Sequence, residues 1–256
     1  MTLLYMILVN LLVGACVGLT GIAGFLLPMF YTGFLNMPSS EALALSFSAF
    51  LISGVLGAFN YYRAGNLQLK TALILSAGSF LGAAAGVRIN LLIPEEMIRR
   101  ILYLVVLFSG ISILLRKAPA DSPGSGKGEK GASGAGHRKA ALYLLLGLTT
   151  GAVCAASGAG GPILVMPLLT VIGFPVHMAV GIALFDSIFI AIPAAAGYLY
   201  HGADNRGMWI LLPILLTAHG IGVFWGSRNA VKTDQGLLKR VVAWGSVVIA
   251  CWKLFL

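Results

Sequence analysis

Residues 151–167, GAVCAASGAGGPILVMP, are apolar enough to lie inside a bilayer, yet they cannot form one smooth helix. Gly158, Gly160 and Gly161 tolerate a positive φ, and Pro162 has no backbone donor to give. A break in hydrocarbon strands N–H and C=O groups, each at a cost on the order of several kcal/mol. Such a break survives only inside protein or beside a wet cavity. Pro162, straight after Gly161, suits the first turn of a new helix. That half-helix would aim free N–H groups into the break, where the macrodipole favours an anion.

The same pattern occurs earlier in the chain. Gly14, Gly21 and Gly24 stand 137 positions before Gly151, Gly158 and Gly161. At that shift Pro38 meets Pro175, Tyr61 meets Tyr198 and Gly65 meets Gly202. After a slip of three residues, Gly82, Gly86 and Arg88 meet Gly222, Gly226 and Arg228 at a shift of 140. A duplicated membrane unit with one interrupted segment per copy is the pattern of a transporter.

Only 10% of the chain is charged and 59% is apolar, against about 25% charged in soluble domains. The net charge of +9 does not point to nucleic acid, because the basic residues lie between apolar runs. It fits the cytoplasmic bias of Lys and Arg in membrane proteins. Cys16, Cys154 and Cys251 form no ligand-spaced cluster, so neither a disulfide framework nor a metal site is expected, and no organic cofactor is indicated. The first apolar run lacks a basic start and contains the duplicated motif, so it reads as mature structure rather than a cleaved signal.

The expected fold is an all-α polytopic membrane protein with two related repeats, 1–116 and 140–256, joined by a polar, flexible linker at 117–139. Each repeat has about four apolar segments: 3–35, 41–60, 69–92 and 98–115, then 140–172, 178–200, 208–229 and 237–256. The first segment of each is broken. Ser39 or Ser40 is a candidate N-cap, Gly78, Gly82 and Gly86 form a stripe for close helix packing, and Lys253 would snorkel. If every segment crosses once, the 17 basic residues divide 10 to 7 between the two sides. If each broken segment returns to the side it entered from, they divide 12 to 5. The positive-inside rule prefers the second arrangement, which inverts one repeat relative to the other and brings two re-entrant hairpins together near the midplane.

The two motifs, GACVGLTGIAG and GAVCAASGAGGPILVMP, the polar linker and the Gly-x-Arg ending of each third long segment resemble the sulfite exporter TauE/SafE family, also called TSUP permeases. The first motif departs from the second: Ala23 stands where the second has Gly160. The resemblance implies a multi-pass transporter of the cytoplasmic membrane. Its substrate would be a small sulfur-containing anion such as sulfite or an organosulfonate, usually exported.

Thr20, Gly21, Gly24, Ser157, Gly158, Gly160 and Gly161 are the candidate substrate-binding residues. The glycines would bare N–H groups to an oxyanion, and the two hydroxyls are one residue from the breaks; the competing roles are helix packing and a hydroxyl bonded to its own helix. Asp186, deep in an apolar run, and His219, mid-span, are candidates for proton coupling, against a purely structural hydrogen bond. His177 flanks Pro175 in a loop and is a weaker candidate. Arg88, Arg228, Ser46 and Ser48 are secondary anion candidates, with snorkelling as the plainer role for the arginines. Cys16 and Cys154 read best as small packing residues. The rival functions are an anion channel, a sulfur-anion uptake permease and an intramembrane hydrolase using Ser157 and His219. Homo-oligomerisation could use the Gly-x-x-x-Gly faces, which serve internal packing equally well.

Overall fold

The apolar runs fold as helices because, in lipid, a helix satisfies its own backbone. The structure, a computed structural model, describes residues 2–21, 23–115, 135–202 and 206–229, with four further positions between 244 and 251. The predicted segment 237–256, with Lys253, therefore lies almost wholly outside the described residues, as does most of the linker. The described elements are α1 (Thr2–Thr20), a turn of 3-10 helix (Ala23–Phe25), α2 (Leu26–Gly33), α3 (Ser39–Arg63), α4 (Leu69–Leu92), α5 (Glu95–Leu115), α6 (Ala135–Ser157), α7 (Gly161–Ile172), α8 (Val176–His201) and α9 (Arg206–Asn229). Six of them, α1, α3, α4, α6, α8 and α9, are long and apolar enough to cross a membrane. The exterior carries large apolar side chains such as Leu12, Leu81, Phe108 and Ile210, while Asn10, Ser46, Asp186 and His219 are buried. This is the polarity expected of a bundle whose solvent is lipid.

Two details differ from the sequence reading. The last five residues assigned to the linker, 135–139, belong to α6, since a formed helix adds one hydrogen bond for each further residue it fixes. Neither Ser39 nor Ser40 caps α3. Pro38, at φ −53° and ψ 139°, is the N-cap residue, no side chain bonds the cap, and Ser39 is already helical and buried.

Glycines set how the helices meet. On α4, Gly78, Gly82 and Gly86 lie directly against the backbone carbonyls of Leu144, Leu148 and Ala152 on α6. On α9, Gly222 and Gly226 lie against the carbonyls of Leu11 and Ala15, and Gly14 of α1 against that of His219. A stripe without Cβ atoms lets backbones approach this closely, and dispersion then holds the pair in lipid, where no hydrophobic effect acts between helices. These Gly-x-x-x-Gly faces are thus occupied within the chain.

The partners rise together in number along both pairs, so α4 and α6 run parallel, as do α1 and α9. The α3–α8 pair runs the other way: Gly54 meets Ser187 and Ile188, Gly57 meets Leu184, and Gly181 meets Tyr61 and Asn66. Alongside α9, α3 is parallel, with Ile52 beside Gly220 and Asn60 hydrogen-bonded to Ser227.

Candidate functional site

Two apolar runs, 3–35 and 140–172, are interrupted in the interior. The first helix stops at Thr20, Gly21 turns at φ 73°, and the chain passes through Ala23–Phe25 into α2. The second stops at Ser157, Gly158 turns at φ 76°, Gly160 takes φ 78°, and α7 starts at Gly161 with Pro162 in its first turn. A positive φ needs glycine at these points because a Cβ would crowd the following carbonyl. The helix ends are not left bare. Gly21 and Gly158 donate N–H to the carbonyls of Val17 and Cys154. In the last turn of α6, the carbonyls of Ala155 and Ala156 accept from Tyr198 Oη and Asn90 Nδ2.

The two breaks converge. A narrow crevice, with room for little more than a water molecule, is lined by Gly21 and Gly24 from the first break and by Ala159, Gly160 and Pro162 from the second. Phe50 and Ser53 of α3 and Ser187 of α8 close it, with Val17 and Ile163. Phe50 and Ser187 stand near the middles of their helices. They are also 137 positions apart. Gly24 packs on Phe50 and Gly161 on Ser187; Gly21 packs on Val180 and Gly158 on Leu43, again 137 apart.

Of the predicted binding residues, Gly21, Gly24 and Gly160 reach the crevice itself. Gly158 and Gly161 shape the turn behind it. Thr20 and Ser157 are fully buried, and their hydroxyls donate to the carbonyls of Cys16 and Val153 at 2.7 Å. The Ser157 oxygen also accepts from the Ala159 N–H at 3.3 Å. In this conformation each hydroxyl proton serves its own helix. Ser46 and Ser48 are likewise committed, to the carbonyls of Ala42 and Ala44. Arg88 and Arg228 are exposed, near the C-terminal ends of α4 and α9, and do not line the crevice. His177 is half-buried at the start of α8.

Asp186 is buried one residue from Ser187. Its carboxyl faces Ser76 and Ser79 of α4 and lies near the thiol of Cys154 on α6. Neither carboxyl oxygen closes a hydrogen bond among the described residues, and the same holds for the Ser76 and Ser79 hydroxyls. A second buried polar group sits on α9. Nδ1 of His219 lies 3.2 Å from the Asn10 carbonyl oxygen, while its Nε2 has no partner among the described residues. Because a carbonyl only accepts, Nδ1 carries the proton in this bond. Asn10 in turn donates to Met6 and to the Tyr31 hydroxyl. His219 makes no hydrogen bond to Ser157, so the described residues contain no Ser–His dyad.

Sequence reasoning missed Phe50, Ser53 and Ser76 altogether. Phe50 had one signal: the 137-residue shift pairs it with Ser187, the neighbour of the buried acid.

The sequence profile described as "Sulfite exporter TauE/SafE" matches residues 6–252, nearly the whole chain. The chain belongs to the TauE/SafE family. It is similar to the "Probable membrane transporter protein YdhB" of Bacillus subtilis (strain 168), with 25% identity over 239 residues, covering 92% of this chain and 94% of that relative. No solved structure matches it. As a TauE/SafE protein with six membrane-length apolar helices among its described residues, the chain is a multi-pass transporter of the cell membrane and not an enzyme, so the hydrolase alternative is set aside.

Proposed function

We propose that this TauE/SafE protein exports a small sulfur-containing oxyanion, sulfite or an organosulfonate, held between the two breaks near the midplane and coupled to protons. The observation that carries the reading is the convergence of both interrupted helices on one crevice. There, Gly21, Gly24 and Gly160 bring backbone rather than side chains to the wall, and the N-terminus of α7 opens beside it. Backbone N–H groups and a helix N-terminus suit an oxyanion whatever organic group its sulfur carries. The sulfur chemistry and the outward direction rest on the family's description. Asp186 carries the coupling proton in this reading, with His219 the second candidate. Arg88 and Arg228, at exposed span ends, would gather anions at the membrane surface. A carrier is favoured over a channel because the crevice is too narrow for an oxyanion, so the breaks must part to admit one.

The working architecture is two inverted repeats, 1–116 and 140–256, joined by the segment 117–139. Support comes from helix direction. The α3 and α8 helices, which correspond at the 137-residue shift, run antiparallel. Each first helix lies parallel to the other repeat's third helix. Because α1 parallels α9 and α9 parallels α3, the chain must return through α2 to the side where α1 began. Each opening segment is then a re-entrant hairpin.

Two experiments test these points. Purified protein is titrated with sulfite, sulfoacetate, taurine, thiosulfate and sulfate; at least one sulfur oxyanion should bind saturably, and failure of all five removes the substrate class. For the architecture, a chain with its native cysteines replaced receives Cys at Asn36 or at Gly173, both exposed. At Gly173, φ 109° and open surroundings make the strain a local cost of about 1–2 kcal/mol. An impermeant thiol reagent should reach the two from opposite membrane faces; labelling from one face removes the inversion.

A further inference from the structure

We propose that Phe50 is the plug that sets which anions fit between the breaks, an inference that rests on the carrier reading above. The ring is wedged edge to edge between the two interruptions. A Cβ on Gly24 would stand 2.9 Å from its Cε1, and one on Gly160 would stand 3.2 Å from its Cε2. Among the described residues no other aromatic side chain lines the crevice, and Phe50 is only 3% exposed. The position opposite it at the 137-residue shift is Ser187, so one wall offers a small hydroxyl residue and the other a benzyl group. The ring fills the space that a guest's organic substituent would need, while the sulfur oxygens lie toward the glycine backbone.

The ring is also held from behind. Phe47 meets it edge-on at 5.4 Å between centroids and 83°, and Phe47 stacks on Tyr198 at 5.8 Å and 12°. The Tyr198 hydroxyl donates to the Ala155 carbonyl at 2.8 Å, in the last turn before the second break. A displacement of that break therefore pulls on the support of the ring. Phe50 leaves its seat when the breaks part, and the size of the space it vacates limits the guest.

The test is flux into proteoliposomes for sulfite, methanesulfonate, ethanesulfonate and benzenesulfonate, with native protein and with Phe50→Ala, Phe50→Leu and Phe50→Trp. A pocket distinguishes substrates differing by one methylene by roughly 10-fold or more, so Phe50→Ala should raise the benzenesulfonate-to-sulfite ratio by at least about tenfold. Phe50→Leu should move the ratio the same way by less, and Phe50→Trp should lower it, slowing the bulkier sulfonates more than sulfite. If Phe50→Ala does not fold, the Leu and Trp variants, shifting the ratio in opposite senses, carry the test. Unchanged ratios in folded, transporting variants overturn the plug. If the native protein moves none of the four anions, the carrier reading itself falls, and the plug with it.

Discussion

Replacing Asp186 with Asn should abolish the response of transport to a transmembrane pH gradient while leaving anion binding within about twofold of native. The amide keeps the size of the carboxyl and can hydrogen-bond to Ser76 and Ser79, which face the position from α4. It removes a charge that would be expensive to bury alone, so the fold should be no weaker. What it cannot do is release and regain a proton. Under a one-unit pH gradient, anion accumulation should therefore drop by about tenfold for each coupled proton, the factor that about 1.4 kcal/mol of lost driving force represents. Flux down the anion's own gradient, at equal pH on both sides, should persist. Cys154 on α6 is a titratable group near this carboxyl, whereas His219 on α9 faces Asn10 of α1. An Asp186→Asn protein whose flux still follows the pH gradient removes the acid from the coupling step and transfers that role to His219.

A graded series of glycine substitutions should separate backbone strain from close packing. Gly65→Ala is the reference, because Gly65 takes φ 74° with nothing within 4 Å of a built Cβ. It should cost only the left-handed penalty of about 1–2 kcal/mol. Gly158→Ala has nearly the same φ, but its Cβ runs into the Leu43 side chain. Overpacking adds about 1–3 kcal/mol to the same penalty. Gly82→Ala has ordinary helical dihedrals, yet its Cβ meets the Leu148 carbonyl of α6, which cannot rotate away as a side chain can. The α4 and α6 helices must separate along their whole stripe, so this variant should have the lowest melting temperature in detergent. Gly65→Ala should have the highest of the three. If Gly82→Ala melts with the native protein, the α4–α6 approach is not what holds these helices together.

The break at residues 158–162 could be read from the sequence because glycine and proline act locally. Gly158 and Gly160 sit at positive φ for the reason the composition suggests, and Pro162 lies in the first turn of α7. The spans among the described residues were equally legible, since hydropathy is a sum over neighbours in the chain. The positions of Thr20 and Ser157 beside the breaks were correct in sequence, but where their protons go was not visible. A hydroxyl near a helix end chooses between its own carbonyl and a guest, and only the local rotamer decides. Phe50 was hidden for a different reason. In a helix apolar on every side, no periodicity marks the residue that faces a cavity rather than lipid or a neighbour.

By itself, then, the sequence determined the helical, membrane-spanning class, the two interruptions and the register of 137 that relates them. Each of these depends on residue type at close range. The tertiary structure alone decided which helices pair and in which direction, that both interruptions share one crevice, and that Phe50 fills it beside Ser187. It also set Ser76 and Ser79 of α4 against Asp186 of α8. These contacts join residues far apart in the chain, and their geometry follows from how glycine-lined faces stack in lipid, where many helix pairs of similar composition would compete and packing shape selects one.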